Sequence, residues 1–293
     1  MPSILSGFLN IDKAAGMTSH DVVAQVRRLS RQKRVGHGGT LDPAATGVLP
    51  IGLGDATRLL EYLVEGKKSY QAIIRLGSTT TTDDAEGPLI TSAPVPSLTT
   101  TDLEAAFAPF IGVIAQVPPA YSAIQVAGQR MYDLARQGQE IELPPRTVEI
   151  DRIALLDWSS PDVSVLVTCG KGTYIRALAR DVGAALGCGA HLARLRRTAV
   201  GPLAVEQAIT LDALRADPNL LSARMLSPAA AVADWPRAVV DEPTRQAIRH
   251  GRAVPLSGVE GDRACAYDSH DTLIALLAPL GDLWQPYKVL RST

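Results

Sequence analysis

No stretch of this 293-residue chain reaches the roughly 18 consecutive apolar residues that a membrane-spanning helix requires. The opening MPSILSGFLNIDK lacks both the basic start and the long apolar centre of a secretory signal, so a cytoplasmic protein is expected. Cysteine is scarce: Cys169, Cys188 and Cys265 are odd in number, far apart and never in a CxxC pair. That spacing argues against a disulfide framework and against a thiolate metal site, and leaves three small buried side chains. His20, His191, His250 and His270 are too scattered to suggest metal ligands. Internal repeats and low-complexity tracts are also absent. Charge of one sign is missing as well, with 29 basic against 30 acidic residues and a net charge of -1. Such a balance argues against a protein that coats nucleic acid indiscriminately.

What is present is a chain that is 46% hydrophobic. At this length about three quarters of the unfolded surface can be buried, enough for a large core and a smaller satellite domain. The positive charges are unevenly placed. Arg27, Arg28, Arg31, Lys33 and Arg34 fall between Asp21 and Asp42 with no acid among them, and a second island runs from Lys171 through Arg176 and Arg180 to Arg194, Arg196 and Arg197. Brought together, the two islands would make one phosphate-binding face; the first alone would serve equally as a solvated helix face.

Period and punctuation give the elements. Thr18 with Asp21 resembles a capping pair, and Val22, Val23, Val26 and Leu29 recur at helical spacing, which predicts an amphipathic helix over 18–30. A short helix is expected at 55–65, burying Leu59, Leu60, Leu63 and Val64. KKSYQAIIRLG at 67–77 alternates instead, with Tyr70, Ala72, Ile74 and Leu76 on one face, and reads as a strand. Residues 79–100 are rich in Thr, Pro and Asp and read as a loop before a capping box at Thr101 and Glu104. A strand is expected at 162–169, a turn at GKG, and then a helix whose stripe is Ile175, Leu178, Ala179, Val182 and Leu186. The alternation gives a mixed α+β body. After a connection near 226–236, a short helix at 242–250 and strands at 263–268 and 272–278 make a small β-rich domain with seven basic and eight acidic residues. With so little net field, any RNA contact there would depend on shape.

GHGGTLDPAATGVLP, at 36–50, follows directly on the first basic island. Pro43 disfavours the α region for Asp42, and Gly36, Gly38 and Gly39 let a backbone bend closely around a ligand. Asp-Pro is also a common turn pair, so taken alone Asp42 reads as a turn residue. A phosphate-binding P-loop fails, because no Gly-Lys-Ser/Thr follows and a carboxylate would sit at the centre of an anion cradle.

The wider series resembles the bacterial TruB family, the tRNA pseudouridine-55 synthases. It comprises GFLNIDKAAGMTSHDVV, GHGGTLDPAATGVLPIGLGDATRLLEYL, KKSYQA, PPAYSAIQVAGQRMYDLAR, GKGTYIRALARDVG, LARLRRTAVG and, in the tail, VVDEPTRQAIRHGR. The resemblance spans about residues 7–290. It implies a catalytic domain over 1–231, with a central mixed, mainly antiparallel sheet flanked by helices and an RNA-gripping insertion around 79–150. A PUA-like RNA-binding domain follows over 232–293, whose deletion is expected to raise the substrate requirement more than it lowers the chemical rate.

The activity implied is isomerisation of one T-loop uridine of tRNA to pseudouridine, with no cofactor, no metal, no obligatory protein partner and a monomeric enzyme bound to the T-arm. By the same resemblance Asp42 is the nucleophile and Arg176 the cation that pairs with it. Tyr70 stacks on the target base, and Tyr174 and Leu195 line the pocket. His37 helps displace the uridine from its stack, an extrusion that costs on the order of a few kcal/mol. Arg34, Lys171, Arg196 and Arg197 are expected to meet RNA. Two departures stand out: Lys13-Ala14 where the family has Lys-Pro, with Lys13 given a structural role, and Gln125 where a basic residue is common.

Overall fold

A computed structural model describes residues 5–121, 125–126, 129–130 and 143–290. Most of the stretch YSAIQVAGQRMYDLAR, and with it the side chain of Gln125, lies outside the described residues.

The predicted amphipathic helix is α1 (Ser19–Ser30), capped by Thr18: its side chain accepts from the Asp21 amide while the Asp21 carboxylate accepts from the Thr18 amide. Val22, Val23 and Val26 are buried and the basic residues of its last turn face outward. Strands β1 (Gly7–Lys13), β2 (Val35–His37) and β3 (Thr46–Leu53) follow the same logic of apolar runs bounded by turn residues. β4 (Lys68–Leu76) alternates as its sequence predicts, burying Tyr70, Ala72, Ile74 and Leu76 and exposing Gln71 and Arg75.

Three expectations needed correction here. The helix expected at 55–65 is divided, a tighter 3₁₀ segment at Gly54–Leu59 leading into α2 (Leu60–Leu63). The stretch 79–100 is not a bare loop, because β5 (Ser78–Thr80) and β6 (Leu89–Ser92) pair across it with Thr79 opposite Thr91. The capping box that starts α3 (Thr100–Phe107) is made by Thr99 and Asp102, not Thr101 and Glu104. The shorter Asp102 carboxylate reaches back to the Thr99 amide at 2.7 Å, and the helix begins two residues earlier.

The remaining elements of the large body are β7 (Gly112–Gln116), the short pair β8 (Gln125–Val126) and β9 (Gln129–Arg130), β10 (Arg146–Ser159), β11 (Asp162–Cys169), α4 (Ile175–Ala185), β12 (Ala190–Val200), β13 (Leu203–Ala204), β14 (Ile209–Thr210), α5 (Leu211–Ala216) and α6 (Leu220–Ala223). The main sheet runs β14-β1-β3-β12-β4-β11-β10-β7, with β2 on β3 and β13 on β12. Its pairs are antiparallel except β1 with β14 and β3 with β12. β12 joins the two halves: Arg196 stands opposite both Thr46 of β3 and Gln71 of β4. One core cluster lies where β4, β11 and β12 meet α3 and α4, a second between β1, β3 and α1, and Leu195 packs against both.

The C-terminal region is β-rich as expected: β15 (Arg237–Val239), α7 (Glu242–Arg249), β16 (Ala264–Tyr267), β17 (Leu273–Leu280) and β18 (Leu283–Val289), in the sheet order β15-β16-β17-β18. One face closes on its own small core around Ile248 and Leu277. The other shares a core with the large body: Cys265, Tyr267, Leu273, Leu276 and Leu290 pack in one cluster with Phe8, Val48, Leu59, Leu60 and Leu63. Among the described residues no helix is long and apolar enough to cross a membrane.

Candidate active site

Asp42 sits in the turn that enters β3, and its neighbours are pinned on every side. Before it, the buried Ser19 hydroxyl accepts from the Leu41 amide at 2.9 Å and donates to the Leu41 carbonyl at 3.1 Å. After it, the Pro43 carbonyl accepts from Lys13 Nζ and from the Gly16 amide, both at 3.0 Å. Lys13 is fully buried and has the structural role expected of it. Around the turn, Arg197 donates to the carbonyls of Gly39 at 2.8 Å, Val48 at 2.7 Å and Thr40 at 3.4 Å. Gly47, at φ 99°, has to be glycine: a Cβ there would lie 2.1 Å from the Arg197 carbonyl oxygen.

This placement corrects the expectation that Arg197 meets RNA. Its side chain is buried at 1% exposure and spent on loop carbonyls, because β12 turns that position inward beside β3. Burial pushes the Tyr70 phenol upward from its ordinary value and Arg197 opposes the shift, so the ring stays neutral near pH 7.

Arg176 is the buried partner of Asp42. The N-terminal end of α4 carries it inward at 6% exposure, with Nε 3.1 Å from Asp42 Oδ2. Its Nη1 lies 3.5 Å from Asp84 Oδ2 and donates to the Thr82 carbonyl, while Nη2 donates to the Tyr121 carbonyl at 2.9 Å. Every nitrogen of the fork is occupied, so the guanidinium is fixed in one orientation. Asp181 pairs with Arg180 instead. The Asp42 carboxylate remains 41% exposed. Surrounding protein pushes its pKa upward, Arg176 pulls it back down, and Asp84 adds a smaller upward push. Asp84 and its loop carry no helical or strand period that would single them out; only the hairpin that folds the Thr-Asp stretch back brings the carboxylate here.

Tyr174 caps α4, and Gln116 of β7 grips its backbone twice, accepting from the amide at 2.8 Å and donating to the carbonyl at 3.1 Å. Gln116 is buried and was not legible as a site residue, since nothing in sequence links an edge strand to a helix start 58 positions away. Leu195 is half-buried and lines a cleft of about 430 Å³ with Ala44, Thr46, Ala72, Arg194 and Arg196. His37 ends β2, its ring edge-on to His20 at 5.2 Å, and its buried Nδ1 has no protein partner among the described residues. Burial, with His20 and Arg197 nearby, holds its pKa below the usual histidine value. Arg34 pairs with Asp55, Arg196 makes a two-pronged contact with Asp12, and Lys171 is exposed in the turn before α4.

The fold thus brings Arg176 to 3.1 Å from Asp42, buries Tyr70 on β4 and places Leu195 in the wall of the cleft. Residues 27–175 match the N-terminal domain of the TruB family pseudouridylate synthases, and residues 176–231 match the tRNA pseudouridylate synthase B C-terminal domain. The chain belongs to the TruB family. Family relatives include a tRNA pseudouridine synthase B of Mycobacteroides abscessus, 48% identical over 99% of this chain and 98% of that protein. Another, from Gloeobacter violaceus, is 47% identical over 98% of this chain and its own full length. Among solved structures, a Cbf5-Nop10-Gar1 complex matches with a TM-score of 0.75 and 29% identity over 97% of this chain and 84% of that one. An H/ACA RNP bound to a substrate RNA containing 2'-deoxyuridine matches at 0.74 and 27%, covering 98% and 85%. The TruB fold, a large mixed sheet flanked by helices with a β-rich C-terminal domain, is therefore the fold of this chain, and the chain is a pseudouridine synthase.

Proposed function

We propose that this enzyme converts the T-loop uridine at position 55 of tRNA to pseudouridine, alone and without a guide RNA, with Asp42 as its nucleophile. The observation that carries the reading is the 3.1 Å contact between the buried Arg176 and a carboxylate left partly exposed. Full-length relatives at 47% and 48% identity that are themselves tRNA pseudouridine synthases support tRNA as substrate and favour the stand-alone form over the guide-dependent one.

The reaction is an isomerisation. The bond from ribose C1′ to uracil N1 breaks, the base turns, a bond from C1′ to C5 forms, the C5 proton leaves and N1 gains a proton. No electron is gained or lost. Ionised Asp42 supplies the electron pair that assists cleavage, and Arg176 keeps that charge in place against burial. The target must first leave its stack, and His37, beside the loop glycines, fills the space it vacates. Tyr70, neutral and buried on β4, supplies the face on which the extruded base lies. Leu195 and Tyr174 close the apolar side, and exposed Lys171, Arg34 and Arg194, with partly exposed Arg196, meet phosphates. The catalytic part is assigned to 1–231 and the region from 232 onward to a PUA-like RNA-binding domain.

The test is to incubate the purified protein alone with an unmodified tRNA transcript and map which uridine changes. Conversion of the T-loop uridine alone is expected. Conversion elsewhere, or only with an added guide RNA, would overturn the reading.

A further inference from the structure

The loop that carries His37 and Asp42 does not rest on the main sheet alone. A Cβ placed on Gly38 would lie 2.5 Å from Val64 Cγ1 and 3.3 Å from Leu60 Cδ2, and one on Gly36 would lie 3.6 Å from Leu60 Cδ1. The backbone of the site loop is therefore laid directly on α2 and the residue after it. The opposite side of α2 is covered by the C-terminal region. Tyr62 meets the Trp235 ring edge-on at 5.1 Å, and Lys288 Nζ stands 4.4 Å over the Tyr62 ring. Arg58 Nη1 donates to the Val289 carbonyl at 2.6 Å, Lys288 Nζ donates to the Arg58 carbonyl at 2.9 Å, and Lys288 also pairs with Glu61. On its outer side Trp235 is covered by Arg263, whose guanidinium carbon is 4.9 Å from the ring centre and which reaches Glu65 at 3.6 Å.

These contacts form three successive layers, site loop, α2 and C-terminal domain, within one apolar cluster that holds Val48, Leu60, Val64, Tyr62, Trp235, Leu276 and Leu290. A four-residue helix between two layers has little stability of its own, so its position is set by what packs on both faces. The connection is stitched down as well: Phe8 and Leu226 exchange both backbone hydrogen bonds, at 2.9 and 2.8 Å. A domain appended only to grip RNA would need neither the shared core nor the ring contact.

We infer that the C-terminal domain is part of the support of the active site, with Trp235 a positioning residue that acts through Tyr62 and α2 on the loop carrying His37 and Asp42. The inference rests on the proposed activity for its readout. Its prediction differs from that of a separate RNA-holding tail, because removing the contact should slow the chemical step even when tRNA is fully bound. A displacement of reacting groups by a fraction of an ångström is enough, since catalytic groups tolerate little misplacement.

The experiment compares wild type, Trp235→Ala and Trp235→Phe in the full chain. Three quantities are measured: the single-turnover rate at saturating tRNA, the equilibrium Kd for tRNA, and hydrogen exchange of peptides covering 36–46. For Trp235→Ala the rate is expected to fall about tenfold or more, with Kd little changed and exchange of the loop amides accelerated. Trp235→Phe, which keeps a ring against Tyr62, should recover most of the rate. If Trp235→Ala does not fold, Tyr62→Leu keeps apolar volume at the seam, removes the ring that meets Trp235 and carries the same test. A variant that binds more weakly yet turns over at the wild-type rate when saturated would overturn the inference, as would an unchanged rate and unchanged exchange. Wild type is the control on the activity itself: its failure to modify the transcript would count against the proposed function, whereas equal turnover by wild type and variant counts against the positioning role alone.

Discussion

Lys13 Nζ donates to the carbonyl of Pro43, the residue after Asp42, at 3.0 Å, and to the Ala14 and Met17 carbonyls at 3.0 and 2.7 Å. A buried ammonium thus ties the end of β1 to the turn that presents Asp42. Burial pushes its pKa down to about 8, against the upward pull of Asp42 and Glu86. Lysine in an unfolded chain titrates near ~10.4. Between these values the unfolded chain binds more protons than the native one, so stability from this site rises with pH through that window and is lost as pH falls through about 8. Lys13→Met keeps the stem but removes a donor from three carbonyls, and should destabilise by about 2–4 kcal/mol near neutrality. Denaturant titrations across the window should find the gap between wild type and variant widening as pH rises. A gap independent of pH would mean that Lys13 does not titrate there.

Asp42→Asn leaves the turn, its Lys13 and Ser19 ties and the Arg176 network in place while removing the charge. It should bind tRNA almost as wild type does and form no pseudouridine. Filter binding beside a single-turnover assay checks both halves. Turnover within about tenfold of wild type, a loss of little more than 1 kcal/mol in the barrier, would remove Asp42 from the role.

The pH profile of kcat/KM tests the electrostatics of the free enzyme. Burial raises the Asp42 pKa, Arg176 lowers it and Asp84 raises it further. With Asp42 as the proposed nucleophile, activity should be present above that pKa and lost as pH falls through it, with a limb above the ~3.9 of a free aspartate. Asp84→Asn removes a like charge and should move the limb to lower pH; Arg176→Met removes the cation and should move it higher. The plateau will drop in both, since both loosen the network, but the limb position is read independently of height. A limb that moved upward in Asp84→Asn would refute the assigned sign.

How much was legible in the sequence depended on the range of the interaction. Local patterns were readable: the Thr18–Asp21 capping box, the alternation of β4 and the stripe of α4 all fell where period and capping chemistry put them. The family motif series named Asp42 and Arg176, which lie 134 positions apart in sequence and 3.1 Å apart in space. What stayed hidden was set by the tertiary fold. The inward turn of Arg197 depends on β12 lying between β3 and β4, the reach of Asp84 on the β5–β6 hairpin, and the hold of Gln116 on Tyr174 on an edge strand meeting a helix start. The same applies to the C-terminal domain, which the family resemblance implied to be an accessory and whose core is shared with α2.

Two adjacent arginines of β12 should therefore respond in opposite ways. Arg197 is buried, with its donors on the Val48, Gly39 and Thr40 carbonyls, so Arg197→Met should cost stability, about 2–4 kcal/mol from the unpaired carbonyls. With no guanidinium near a phosphate to lose, the slope of log K against log salt for tRNA binding should stay the same. Arg196 is partly exposed at the cleft, where it pairs with Asp12. Arg196→Gln should leave the melting temperature nearly unchanged and flatten the salt slope by about one unit for the lost phosphate contact. Thermal melts and binding isotherms at several salt concentrations separate the two effects, because one residue holds up the floor of the site and the other faces what binds over it. A salt slope that fell with Arg197→Met but not with Arg196→Gln would reverse the assignment.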